Sequence, residues 1–281
     1  MERNIKIITD SASDLPKEIC GKYGIDSIPI MVNAGEASYR DGVDIDIEGL
    51  KKLLRTSGIV PKTGVSGPER YLEIYNQYPE SDILSVHLGG KFSRAYDTAI
   101  LAARESIAGH KISTYDSGTA SLGLGFMVME AAALAQDGVD LNTIINNLED
   151  LKTRLAVVAA FQDMNHLRES GRVSHLAGVV GSLLKINPVL RIDNNLISVI
   201  DKPRTRTNAV AVLNKFADDF GCLERAAVLH FGCQTEAENL ATDIQRLPMK
   251  NKDIMICELG PALACHGGVG TLGLCLIKQK K

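Results

Sequence analysis

A short apolar run, Ile5 to Ile8, opens directly onto Thr9-Asp10-Ser11-Ala12-Ser13-Asp14-Leu15-Pro16. Four apolar residues followed by a polar, turn-forming stretch read as a buried strand, and Pro16 suits the first turn of a helix. Small polar side chains at the carboxyl end of a buried strand stand where open α/β sheets hold ligands. The junction recurs twice. Ile83-Leu84-Ser85-Val86 runs into His87-Leu88-Gly89-Gly90-Lys91-Phe92-Ser93, and Lys111 to Tyr115 runs into Asp116-Ser117-Gly118. Three such strand ends are expected to converge on one crevice.

The alternation continues through the first half. Strands are expected at Lys6–Thr9, Ser27–Val32, Ile83–Val86 and Lys111–Tyr115, with helices near 16–22, 50–55, 67–77 and 95–107. Ser66 and Glu69 have capping-box spacing around Pro68. Strand–helix alternation predicts a mostly parallel sheet with flanking helices. An Ala-, Met- and Leu-rich helix over 119–136 and a charged one over 141–151 follow. The texture then changes: Pro188–Ile192 and Leu196–Ile200 flank Asn194-Asn195 as a hairpin with a two-residue turn. Further strands are expected at Leu155–Phe161, Ala226–Phe231, Asp253–Glu258 and Thr271–Ile277. The fold class is therefore α/β in two domains: an N-terminal one over 1–150 and a C-terminal mixed-sheet one over 151–281, with a ligand between them.

Composition narrows the function classes. Aromatic residues make up 5% of the chain against 45% hydrophobic residues in all, so the core must be aliphatic. A net charge of −3 with interspersed signs argues against nucleic acid as a partner. The start of the chain shows no signal-peptide pattern, and apolar runs such as Leu155 to Phe161 are far shorter than the ~20 residues of a membrane span. None of the six cysteines forms a C-x-x-C pair, which speaks against a zinc or redox motif and for a cytoplasmic setting. No G-x-S-x-G elbow, P-loop or H-E-x-x-H is present.

Several short motifs, taken in order, resemble one family. Thr9 to Pro16 matches the opening signature of the DegV family. Pro61-Lys62-Thr63 is similar to its second motif, and Phe92-Ser93-Arg94-Ala95-Tyr96 falls where the family has Leu-Ser-Gly-Thr-Tyr. Asp116-Ser117, Gly171-Arg172-Val173-Ser174 and His266-Gly267-Gly268-Val269-Gly270 follow in the expected order. The resemblance implies a two-domain α/β protein that sequesters a long-chain fatty acid. It further implies a non-catalytic subunit that presents the acyl carboxylate to a separate fatty acid kinase, with no cofactor besides the bound lipid and no metal.

On that reading Thr63, Ser93 and His266 are the carboxylate-binding candidates, supported by Arg172, Gly64, Gly267 and Asp116. Thr63 is expected in a loop, Ser93 at a helix start where backbone N–H groups favour an anion, and His266 as a protonated imidazole in an open, glycine-rich turn. Asp10 and Asp116 are expected to hold loops by hydrogen bonds. Ile28, Ile30, Leu88, Phe161, Leu183 and Ile186 are candidates for the apolar wall. Three departures from the family pattern stand out: Gly64 for a serine, Arg94-Ala95 for Gly-Thr, and Val269 for a common proline. Two alternatives remain open. One is a carrier or sensor of lipid or small metabolites with no kinase. The other is a hydrolase using Ser93, His266 and Asp116.

Overall fold

The computed structural model describes residues 4–107, 111–162, 165–174 and 186–280. Strands β1 (Ile5–Asp10), β2 (Asp26–Ile28), β6 (Asp82–His87) and β7 (Ile112–Asp116) form a parallel sheet in the order β2-β1-β6-β7. Because the strands run the same way, the three polar junctions meet at one edge. They zip onto one another there. Leu88 donates its N–H to Asp10 (3.0 Å), Ser117 to the His87 carbonyl (3.1 Å) and Gly89 to the Thr119 carbonyl (2.9 Å).

The strand expected over 27–32 is two strands. Pro29 has no N–H to continue a ladder, so the chain leaves β2 and enters a different sheet. That small antiparallel sheet has the order β4-β3-β5, from β3 (Met31–Ala34), β4 (Ala37–Arg40) and β5 (Lys62–Gly64). The expected capping box also fails. Gly67 is the N-cap of its helix, Pro68–Tyr75, so Ser66 stands one residue too early and its hydroxyl donates to the Pro29 carbonyl at 2.5 Å.

The second half builds a mixed sheet in the order β10-β9-β8-β13-β11-β12. Its strands are β8 (Leu155–Ala160), β9 (Val189–Asp193), β10 (Leu196–Asp201), β11 (Leu223–His230), β12 (Met255–Glu258) and β13 (Leu272–Lys278). Only the β11–β12 pair is parallel. The hairpin turn is the expected one: Asn194 and Asn195 both take positive φ, 42° and 63°, as a type I′ turn requires.

In chain order the helices are α1 (Lys17–Tyr23), α2 (Ile47–Ser57), α3 (Pro68–Tyr75), α4 (Ala95–Glu105), α5 (Leu122–Gln136), α6 (Leu141–Arg154), α7 (Asn165–Ser170), α8 (Arg206–Phe220), α9 (Gln234–Ile244) and α10 (Pro261–Gly267). α5 joins the two larger sheets. It is buried without a break from Leu122 to Val128, and it packs on β1 on one side and on β8 and β13 on the other. A helix that is apolar all round needs such double cover. Two glycines set the approach. A Cβ on Gly123 would stand 2.7 Å from Val157 Cγ2, and one on Gly125 would stand 2.8 Å from the Ser13 carbonyl. One apolar cluster consequently runs from Ile7 and Leu84 through α5 to Val157, Leu229 and Ile277. Among the described residues no helix is long and apolar enough to cross a membrane, and no group of His, Cys, Asp and Glu is placed to hold a metal ion.

Candidate functional site

A cavity of about 510 Å³ lies where elements of the two larger sheets and the small sheet face each other. Its wall is aliphatic and aromatic: Ile30, Leu88 and Phe92 from the first half, Val157, Phe161, Ile192 and Leu229 from the second. Of the expected wall residues, Ile30, Leu88 and Phe161 line it. Ile28 does not. It is fully buried in a separate cluster with Tyr71 and Tyr75 behind the parallel sheet. Ile186 packs with Leu167 and Val173 and is not on the wall. Leu183 lies outside the described residues.

Three polar side chains of this lining, Thr63, His266 and Arg172, come together. Thr63 sits in β5, paired with Val32, rather than in a loop. His266 sits in the last turn of α10, rather than in an open glycine turn. The two come together across 203 residues of chain, with Thr63 Oγ1 and His266 Nε2 2.7 Å apart. Arg172 stands beside them on the turn after α7. Its Nη1 donates to the Ser170 carbonyl (2.6 Å), and its Nη2 lies 3.5 Å from Thr63 Oγ1. Ser93, Gly64 and Gly267 also line the cavity. Arg94 is the N-cap residue of α4, and Ser93, one residue earlier, accepts the Ala95 N–H at 3.2 Å.

The charge expected on His266 is absent. Burial, then the nearby Arg172 guanidinium and the His166 ring, push its pKa down to about 4. The ring is therefore neutral at neutral pH. Its Nδ1 is buried with no partner among the described residues. A bare nitrogen lone pair is the cheaper group to leave there, which places the proton on Nε2, donating to Thr63 Oγ1. Thr63 keeps its own proton free to donate into the cavity. The permanent positive charge at the site belongs to Arg172, with the exposed guanidinium of Arg94 on the same lining. Gly64 leaves that lining without a hydroxyl, and a Cβ there would stand 3.1 Å from Asn33 Nδ2.

Asp116 does not line the cavity. Its Oδ1 accepts the N–H groups of Gly90 (3.0 Å) and Gly118 (2.9 Å), and its Oδ2 accepts Asn195 Nδ2–H (2.7 Å). Asn195 in turn accepts the Lys91 N–H (3.2 Å) and gives its own N–H to the Gly118 carbonyl (2.7 Å). The β9–β10 turn is thus plugged into the loops after β6 and β7, with Asp116 as the socket. Sequence reading gave Asp116 a loop-holding part and had no signal for its partner.

The hydrolase set of Ser93, His266 and Asp116 does not assemble, because His266 engages Thr63 and Asp116 engages Asn195. A Ser–His–Asp chain does exist elsewhere. Tyr75 O–H donates to Ser85 Oγ (2.8 Å), Ser85 Oγ lies 2.7 Å from His87 Nε2, and His87 Nδ1 lies 3.0 Å from Asp10 Oδ2. All four side chains are fully buried. This chain holds the β1 and β6 ends together and offers no access to substrate.

Over residues 4–279 the sequence matches the family described as "Uncharacterised protein, DegV family". The chain belongs to the DegV family. A DegV domain-containing protein of Halalkalibacterium halodurans is 31% identical over 276 residues, covering 96% of this chain and 97% of the relative. The fold agrees with solved DegV structures. That of a Thermus thermophilus DegV-family protein, described as binding fatty acid, superposes with a TM-score of 0.90 at 29% identity, covering 98% of this chain and 100% of the other. DegV of Bacillus subtilis, described as a fatty acid binding protein, gives 0.87 at 28% identity over 99% of this chain and 100% of its own.

Proposed function

We propose that this DegV chain binds one long-chain fatty acid between an N-terminal domain ending near residue 150 and the domain that follows, and presents its carboxylate to a separate kinase in the cytoplasm for acyl phosphate formation. The observation that carries this reading is the lining of the cavity: a mostly apolar wall on which Thr63, His266 and Arg172 come together and Ser93 also lies. Burying the acyl chain supplies the affinity. Each methylene is worth ~0.8 kcal/mol, so a sixteen-carbon chain offers about 10 kcal/mol before costs, more than head-group hydrogen bonds of about 1.5–3 kcal/mol each. The wall therefore sets how tightly the lipid binds, and the polar group sets which way round it lies.

Thr63 and Ser93 act as hydroxyl donors to the carboxylate, Arg172 offsets its charge, and neutral His266 holds Thr63 in the donating orientation. The two relatives described as binding fatty acid support the ligand class. The exposed guanidinium groups of Arg172 and Arg94 support the delivery step, because a partner must reach the carboxylate and the charge that develops on it.

Calorimetric titration with palmitate and with hexadecanol tests the binding half. Palmitate is expected to bind at one molecule per chain, at least tenfold more tightly than the alcohol. Equal affinity would show that the polar group is idle. The delivery half is tested by incubating the loaded protein with ATP and the fatty acid kinase of the same cell, then trapping acyl phosphate with hydroxylamine. Hydroxamate that forms equally well without this chain would remove the kinase from the reading.

A further inference from the structure

The most distinctive segment of the sequence, Thr9 to Pro16, contributes only Ala12 to the cavity lining. Its polar side chains are turned elsewhere. Asp14 takes a left-handed conformation, φ 51°, and its carboxyl group is buried. Asp14 Oδ1 accepts the Gly260 N–H at 2.9 Å, and Oδ2 is bonded to Ser121 Oγ at 2.5 Å. Its backbone carbonyl accepts the Cys257 thiol at 3.1 Å. Ser11 Oγ accepts the Ile30 N–H at 3.0 Å and donates to Asp41 Oδ2 at 2.7 Å. Asp41, also buried, faces the Ala262 N–H.

These contacts converge on the start of α10. Pro261 has no N–H, so the donors exposed there are those of Gly260 and Ala262. Asp14 takes the first and Asp41 faces the second. The fit is close: a Cβ on Gly260 would stand 3.0 Å from Asp14 Oδ1. The other end of the helix carries His266. A helix of this length spans ~9 Å, so a tilt of ~10° at its start moves the far end by ~1.5 Å, enough to break a hydrogen bond.

We infer that the Asp10–Asp14 loop and Asp41 together clamp the start of α10 and thereby aim His266 at Thr63, which makes Asp14 and Asp41 positioning residues for the polar part of the cavity. The inference rests on the fatty-acid reading above for what the cavity receives. Burial and the neighbouring aspartates favour the neutral form of Asp14, although both hydrogen bonds it accepts would also be made by the carboxylate. Burial, and then the charges of Asp41 and Asp10, push its pKa up to about 8, against the opposing pull of Ser121 and Gly260. The ionisable groups that face it are those two aspartates and the Cys257 thiol, itself pushed up to about 12 by burial and then by Asp14 and Glu258. Ionisation would put a second buried negative charge beside Asp41, and the repulsion between the two carboxylates, not any loss of the bond to Gly260, would spread the two halves of the clamp that meet at α10.

The test is the affinity for palmitate from pH 6.5 to 10, with His266 ring-nitrogen NMR shifts of the ligand-free protein followed over the same range. The parent is expected to lose affinity by up to about tenfold per pH unit above about 8, the limit for one linked proton, and its His266 signals should move with the same midpoint. Asp14→Asn copies the neutral acid: its carbonyl can keep the Gly260 N–H, its amide can donate to Ser121, and asparagine tolerates the left-handed backbone. That variant should bind like the parent at pH 7 and show no alkaline loss, whereas Asp14→Ala should bind more weakly throughout. An alkaline loss retained in Asp14→Asn, or parental binding by Asp14→Ala, would overturn the clamp. Absence of palmitate binding by the parent at every pH would sink the fatty-acid reading instead. The His266 shifts would then still decide for or against the clamp.

Discussion

At the scale of single residues, the polar part of the cavity divides into donors, a spacer and a fixed charge. On the proposed reading Thr63→Ala and Ser93→Ala each remove one donor to the carboxylate, which is expected to weaken palmitate binding about ten- to hundredfold. Ser93→Ala should change ligand-free stability little, whereas Thr63→Ala also leaves His266 Nε2–H without its partner and should cost about 1–3 kcal/mol. Parental affinity in both variants, measured by calorimetry, would misplace the site. His266 carries its own pH signature. Its pKa is held near 4, below the ordinary 6.5, so the folded state binds a proton less readily than the unfolded chain. Its contribution to stability is full above about 6.5 and is lost as pH falls toward 4. His266→Gln is therefore expected to flatten part of the acid limb of a Tm-versus-pH curve between those values; an unchanged limb would place another group there. That Thr63, Ser93, Arg172 and His266 belong to one lining was legible from sequence, because short motifs in the right order pointed to the four together. The state of His266 was not. Flanking glycines suggest an open turn, yet Gly267 belongs to α10 itself and Gly268 stands against the His166 ring, where a Cβ would lie 2.6 Å from Cδ2.

At the scale of elements, two joints carry the architecture. α5 seats against β8 through Gly123. Replacing a helical glycine by alanine ordinarily gains up to ~1 kcal/mol. Here the added carbon would stand 2.5 Å from Thr119 Oγ1 and 2.7 Å from Val157 Cγ2, and overpacking costs about 1–3 kcal/mol, so the clash wins. Gly123→Ala is expected to lower Tm; a rise would mean that the α5–β8 seam can give. The second joint is the β9–β10 turn. Asn195→Ala frees the Lys91 N–H and one Asp116 oxygen, and denaturant unfolding should show a loss of about 1–2 kcal/mol. Parental stability there would reduce the plug to an incidental contact. Strand and helix identities were mostly legible because hydrophobic periodicity and Gly and Pro punctuation report them locally. The small sheet holding Thr63 and the short helix holding His266 were not. β5 is three residues long and α10 seven, too short to show a period, and both are held by partners far away in sequence.

At the scale of the whole molecule, one apolar cluster ties the parallel sheet to the mixed sheet through α5, while the cavity opens where the elements on either side stand apart. That pairing of a fused core with an apolar hollow suits a carrier that holds its cargo through many encounters. Hydrating so apolar a wall is costly, so lipid acquired in the cell should survive purification. Native mass spectrometry of the freshly purified chain, followed by extraction of whatever it carries, addresses the central claim most directly. The account predicts a species heavier than the bare chain by one C14–C18 fatty acid, released on denaturation and identified in the extract. A bare chain that also takes up no added C14–C18 acid, or a water-soluble metabolite in place of the lipid, would contradict it.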